Sequence, residues 1–154
     1  MTNFIENSRK MAQEGQVIKA GDWVADGVSV TQLGGTCEVW CGGRNEQHGG
    51  TCYVLEDGDN EQRGGACYVY YGGYNEQHGG TCEVLFGGRS TQHGGACEVL
   101  DGGRNEQYGG RWCNVLDGGI NEQYGGQCHV FKGGRNDQHG GECHVLAGGY
   151  FNRR

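Results

Sequence analysis

Eight cysteines recur once per repeat, at Cys37, Cys52, Cys67, Cys82, Cys97, Cys113, Cys128 and Cys143, and a ninth, Cys41, falls outside the series. Such a series suggests a metal site, a disulfide framework or a buried row. Zinc sites want Cys or His side chains that converge tetrahedrally. One thiol per coil, all aimed the same way, does not converge and reads as small buried hydrophobes. Neighbouring thiols fall within bridging distance, so a few disulfides would suit an oxidising compartment. Cys41 reads as an exposed thiol.

Histidine offers a second chemistry. His78 and His93 should stack on one outer face, as should His129 and His144. Imidazoles ~4.8 Å apart could share a transition metal, and the plainer reading is a solvated row. Glu46, Glu61, Glu76, Glu106, Glu122 and Asp137 form an acidic row. Like charges stacked directly repel, and the Arg and His rows beside them should relieve this. No nucleophile–base–orienter set and no phosphate loop appears, so neither an enzyme nor a cofactor is expected.

The elements that hold these rows follow from the period. Written from each Gly-Gly, the units run GGTCEVWCGGRNEQH, GGTCYVLEDGDNEQR, GGACYVYYGGYNEQH and onward to GGECHVLAGGYFNRR. Seven units have 15 residues; the sixth has 16, with Arg111 or Trp112 as the extra one. Fifteen residues are too few for two helices and their turns. They suit one coil of a solenoid with two short strands and two tight corners, the corners made where Gly takes φ > 0 without steric cost.

Side chains alternate along a strand, and the rows that scarcely change between units should be the inner ones. In the first strand these are the Cys row and Val39, Val54, Val69, Val84, Val99, Val115, Val130 and Val145. In the second they are Asn45, Asn60, Asn75, Asn105, Asn121 and Asn136, with Ser90 in the fourth unit, and Gln47, Gln62, Gln77, Gln92, Gln107, Gln123 and Gln138. Buried amides must be hydrogen-bonded, and each Asn or Gln is expected to bond its equivalent one coil away. Another row is always apolar: Trp40, Leu55, Tyr70, Leu85, Leu100, Leu116, Phe131 and Leu146. Strict alternation puts it outside, as a stripe that would mark an interface; a kink before the corner would turn it into the core.

The expected fold is therefore all-β: a narrow two-sheet β-solenoid of 15-residue coils with a short N-terminal capping helix. Residues 34–149 form eight coils, a rod of roughly 35–40 Å at ~4.8 Å per coil. Residues 1–33 hold irregular coils after a helix from Asn3 to Glu14, with Phe4, Ile5, Ser8, Met11 and Ala12 on one face and Gly15 as its stop. Residues 150–154 form a cap, where Phe151 and Arg153 replace the inner Asn and Gln and block another coil.

The net charge of −7, without a basic stripe, argues against nucleic acid. No apolar run approaches the ~20 residues of a membrane span. The N-terminus lacks the apolar stretch of a secretory signal, which leaves the cytoplasm or export by another route. The GG-x-x-x-V pattern resembles the repeats of bacterial AIDA-type autotransporter passengers, surface adhesins secreted through a barrel. The N-x-Q-x-G and C-x-V-x-x-G spacings are similar to the rolls of grass ice-binding proteins. Both likenesses cover about residues 34–149. Ice binding would need a flat face of small uncharged residues, whereas the row Thr36, Thr51, Ala66, Thr81, Ala96 continues as Arg111, Gln127, Glu142. The sequence thus points to a structural or interaction module, a rigid rod whose ladder faces serve adhesion, scaffolding or self-association, with the apolar stripe as the seam that would pair two rods as a homodimer. Ice binding, and a metal-binding rod through stacked Cys and His, are the alternatives.

Overall fold

A computed structural model describes residues 10–154. The chain winds as a β-solenoid. β1 (Lys10–Met11), β3 (Asp22–Asp26) and β5 (Thr36–Trp40) open one sheet, and β2 (Gln16–Ile18), β4 (Ser29–Gln32) and β6 (Arg44–Gln47) open the other. Successive strands alternate between the sheets up to β19 (Glu142–Val145) and β20 (Tyr150–Arg153), giving ten strands in each. All pairing is parallel and like sits on like: Cys52 opposite Cys67, Asn60 opposite Asn75. The odd-numbered strands form the Cys–Val sheet and the even-numbered strands the Asn–Gln sheet.

The front coils are shorter. Lys10 pairs with Trp23 and Gln16 with Val30, before the regular step sets in. Residues 10–14 do not continue the expected capping helix: Lys10–Met11 is a strand, and a turn follows. The rest of that helix, Asn3 to Arg9, lies outside the described residues. The open edge of β3 offers this segment backbone hydrogen bonds at once, and a helix of this length is marginal alone. In the sixth regular coil Ala96 stands opposite Trp112, so Arg111 is the inserted residue, exposed at the corner. Trp112, rather than Arg111, takes the Thr/Ala row.

The two corners use glycine differently. At Gly50, φ is +79°, and a Cβ would lie 2.4 Å from the Gly35 carbonyl oxygen of the previous coil. That corner needs glycine for both conformation and space. At the other corner the first glycine of the pair faces open space, as at Gly87, whereas a Cβ on Gly88 would meet the Val69 oxygen at 2.4 Å. This explains why Asp57 can replace the first glycine of its pair, at φ +64°, a region Asp tolerates.

The interior is half apolar and half amide. The Cys and Val rows from Cys37 to Val130 are almost fully buried, as are the Asn and Gln rows. The Asn row forms the expected ladder: Asn45 Nδ2 donates to Asn60 Oδ1 at 2.9 Å and Asn60 to Asn75 at 2.8 Å. After Ser90 it resumes, from Asn105 to Asn121 and Asn121 to Asn136, each at 2.9 Å. The Gln row does not bond to itself. Each Gln Nε2 serves the corners instead: Gln47 donates to the Gly50 oxygen at 3.1 Å and to the Ala66 oxygen, one coil on, at 2.8 Å. Its Oε1 accepts from the Asn of the next coil, Asn60 Nδ2 at 3.1 Å. Every coil is therefore tied to the next by side-chain bonds as well as by both sheets.

Among the described residues, three buried acceptors lack a donor: Asn45 Oδ1, Gln77 Oε1 and Asn105 Oδ1. The repeat accounts for all three. Asn45 Oδ1 faces the position that Val30 occupies in the coil before it. Gln77 Oε1 and Asn105 Oδ1 both await an amide at residue 90, where serine stands.

Candidate functional site

The strands alternate strictly as far as the corner, which decides where the apolar row lies. Trp40, Leu55, Tyr70, Leu85, Leu100, Leu116 and Phe131 are half-buried on the outer side and Leu146 is exposed, while the Val row one residue earlier is sealed as far as Val130. Val145, expected inside, is exposed because β19 is the last strand of its sheet and no coil covers it. The row is a stripe on the outside of the rod. Near its start Trp23, Trp40, Tyr53 and Leu55 line a shallow depression of about 520 Å³.

The corner beside the stripe has the same backbone cost in most units: Cys41, Glu56, Tyr71, Phe86, Asp101 and Asp117 all stand at positive φ. Tyr71 and Phe86 both stand at φ +46°, where a bulky side chain is rarely found. Both are also exposed, at 60% and 47%. Their rings stack on each other with centroids 5.8 Å apart, and Tyr70 joins them at 6.2 and 6.3 Å. Two aromatic side chains thus accept backbone strain and still face water. The sequence holds the signal: these are the aromatic residues standing where other units have Cys41, Glu56, Asp101, Asp117, Lys132 and Ala147.

The opposite edge of the rod bears a ladder of rings. His78, His93, Tyr108, Tyr124 and His139 stack successively at 5.2, 5.6, 4.9 and 4.8 Å. His129 and His144 stack on the Cys–Val sheet at 5.4 Å. The acidic row leans on these edges as expected. Arg63 reaches Glu61 at 2.8 Å and Glu46 at 3.2 Å, and Glu76 lies between His78 and His93 at 3.6 and 3.3 Å. Such half-exposed pairs contribute ~0–1 kcal/mol each; their effect is to let the acids stack. Tyr108 and Tyr124 have their pKa raised, first by hydrogen bonds to Glu106 and Glu122.

All nine cysteines are unbridged, and only Cys41 is exposed. Burial pushes the Cys37 thiol up to about 12. Cys97 and Cys128 are held protonated chiefly as donors to the sulfurs beside them, and Cys67 by burial and then by such contacts. At Cys41, partial desolvation and then the carboxylates of Asp26, Glu56 and Asp57 raise the pKa. Asn Nδ2 groups approach the ladder sulfurs, as Asn45 does Cys52 at 3.4 Å. Among the described residues no group of three or more His, Cys, Asp or Glu is arranged to hold a metal ion.

No protein-family model, curated protein or solved structure matches the chain. The likeness to AIDA-type passengers and grass ice-binding rolls is therefore one of repeat pattern alone. On the face an ice-binding surface would use, Trp112, Gln127 and Glu142 continue the Thr/Ala row. Among the described residues no helix is long and apolar enough to cross a membrane.

What the surface can do follows from its periodicity. Every row repeats at ~4.8 Å, so the rod presents straight lines of like side chains on a stiff backbone. The stripe and its strained aromatic corner are the part that water solvates least well.

Proposed function

We propose that the chain is a non-enzymatic structural rod that associates with a second copy of itself through the apolar stripe. The observation that carries this is the exposed, stacked aromatic pair Tyr71 and Phe86 beside an unbroken apolar row. Exposed apolar patches of this extent mark contacts. A second rod is the partner whose own rows repeat at the same ~4.8 Å, so an isologous pairing matches every coil at once. The strip is roughly 35–45 Å by ~15 Å, or roughly 500–700 Å² per rod. That is near the ~800 Å² per partner of a standard interface, toward the weaker end.

The test replaces Leu85 and Leu100 together with Lys and measures mass by sedimentation over micromolar concentrations. The wild-type chain is expected to dimerise, and the variant to remain a folded monomer. A wild-type chain that stays monomeric throughout, or a folded variant that dimerises as well as wild type, would overturn the proposal. Since both leucines lie outside the sealed core, the variant should keep its β-sheet circular dichroism.

A further inference from the structure

In a repeat protein, a site is best sought where the repeat is broken at a cost. The fourth regular coil reads RSTQ where its neighbours read YNEQ and RNEQ. Ser90 costs the interior two hydrogen bonds, because Gln77 Oε1 and Asn105 Oδ1 are left without donors. The next residue changes the outside: Thr91 stands in register between Glu76 and Glu106 and interrupts the acidic row.

The cations beside this gap are unpaired. Arg89 stands directly opposite Arg104 on the neighbouring strand, so their Cα atoms are ~4.8 Å apart. Both are exposed, and neither guanidinium has an ion pair or a hydrogen-bond partner among the described residues. Elsewhere on this sheet the acid two residues along from an arginine can answer it, as Asp137 does Arg135 at 3.1 Å. Thr91 deprives Arg89 of that acid. The carboxylates that share this face, Glu106 and Glu122, are already engaged: Tyr108 donates to Glu106 at 3.2 Å, and Tyr124 and His139 hold Glu122 at 2.8 and 3.0 Å. Like charges directly across a sheet are destabilising, and an anion between them would reverse the sign of that contact.

Hydroxyls complete the arrangement. Tyr74 Oη donates to Thr91 Oγ1 at 2.9 Å, which places the two hydroxyls side by side next to the arginines. Together they line a shallow depression of about 520 Å³ on the outer face of the Asn–Gln sheet. It lies on the other sheet from the apolar stripe and does not depend on dimerisation. We infer that Arg89 and Arg104, with Thr91 and Tyr74, bind a tetrahedral oxyanion: phosphate or sulfate, free or as a monoester. Guanidinium forks match such oxygens in paired hydrogen bonds, and the Thr91 hydroxyl, oriented by the Tyr74 donor, supplies one more.

The experiment follows the arginine side-chain Nε–Hε signals of the full chain by NMR. Sodium sulfate, phosphate, methyl phosphate and acetate are titrated separately, with ionic strength held by chloride. The Arg89 and Arg104 signals should move together and saturate in the millimolar range, while Arg44, in the same outer row but opposite Asp59, stays still. Methyl phosphate as strong as phosphate assigns the site to ester groups as well as free ions; phosphate alone confines it to the free ion. Thr91→Glu restores the acid that neighbouring coils carry and should weaken binding about tenfold or more. Arg89→Gln should do the same without altering the acidic row. Arg44 shifting in step, no saturation with sulfate or phosphate, acetate binding as well as both, or full binding by either folded variant would each overturn the assignment.

Discussion

At the scale of single residues, the amide ladder sets how well the rod's interior is satisfied, and Ser90 is its weakest point. Gln77 Oε1 and Asn105 Oδ1 are both buried without a donor there. An unsatisfied buried group costs ~1–3 kcal/mol. Ser90→Asn supplies Nδ2 to both acceptors in the geometry that Asn60 already uses toward Gln47 and Asn75. It should stabilise the chain by roughly 1–3 kcal/mol, read as a higher urea midpoint with an unchanged slope. A lower midpoint would mean that the neighbouring coils had closed over the smaller serine. The inner rows were legible because Asn, Gln, Cys and Val hardly vary from unit to unit. Their bonding was less so. Gln is one methylene longer than Asn, and that length carries its amide past its own kind to the corner carbonyls of Gly50 and Ala66. Residue identity alone does not show this reach.

At the scale of elements, the corners decide what the coil tolerates. Each Gly-Gly reads as one symbol in the sequence, yet its two members do different work. At Gly87 a Cβ meets open space, and only the φ of +82° resists substitution. At Gly88 the Cβ would lie 2.4 Å from the Val69 oxygen, closer than any contact can remain. Gly87→Ala should therefore cost ~1 kcal/mol, the usual penalty of positive φ on a non-glycine residue. Gly88→Ala should cost several-fold more, because two coils must separate to admit it. Thermal melts of the two variants test this, and equal losses would show that the backbone shifts freely. Strands and corners were readable because period and alternation are local signals. No helix runs over residues 10–14: the pattern of Met11 and Ala12 suits one, but the open edge of β3 rewards an added strand. That reward is a tertiary effect which no window of sequence contains. The strain at Tyr71 and Phe86 escaped for a similar reason: a corner's handedness is set by the coils around it.

At the scale of the whole molecule, the thiol ladder makes the rod sensitive to alkali. Cys37 is sealed inside, and burial raises its pKa to about 12. An unfolded chain ionises the same thiol near the ordinary value of ~8.5. Between these values the folded state binds the extra proton, so stability falls as pH rises. The contribution is fully present below ~8.5 and lost as pH climbs through about 12. The urea midpoint should therefore fall as pH rises above ~9. Cys37→Ala isolates the effect: it should be less stable at pH 7 through the lost packing, yet flatter in its alkaline dependence. Thiol reagents report the same partition. At neutral pH Cys41 should react alone and slowly for an exposed thiol, since nearby carboxylates restrain its ionisation. The buried sulfurs should follow only on unfolding, with half-buried Cys143 leading them. A chain whose midpoint holds steady to pH ~11, or whose nine sulfurs react together without denaturant, would not contain a dry interior, and the coils would owe their stacking to the two sheets alone.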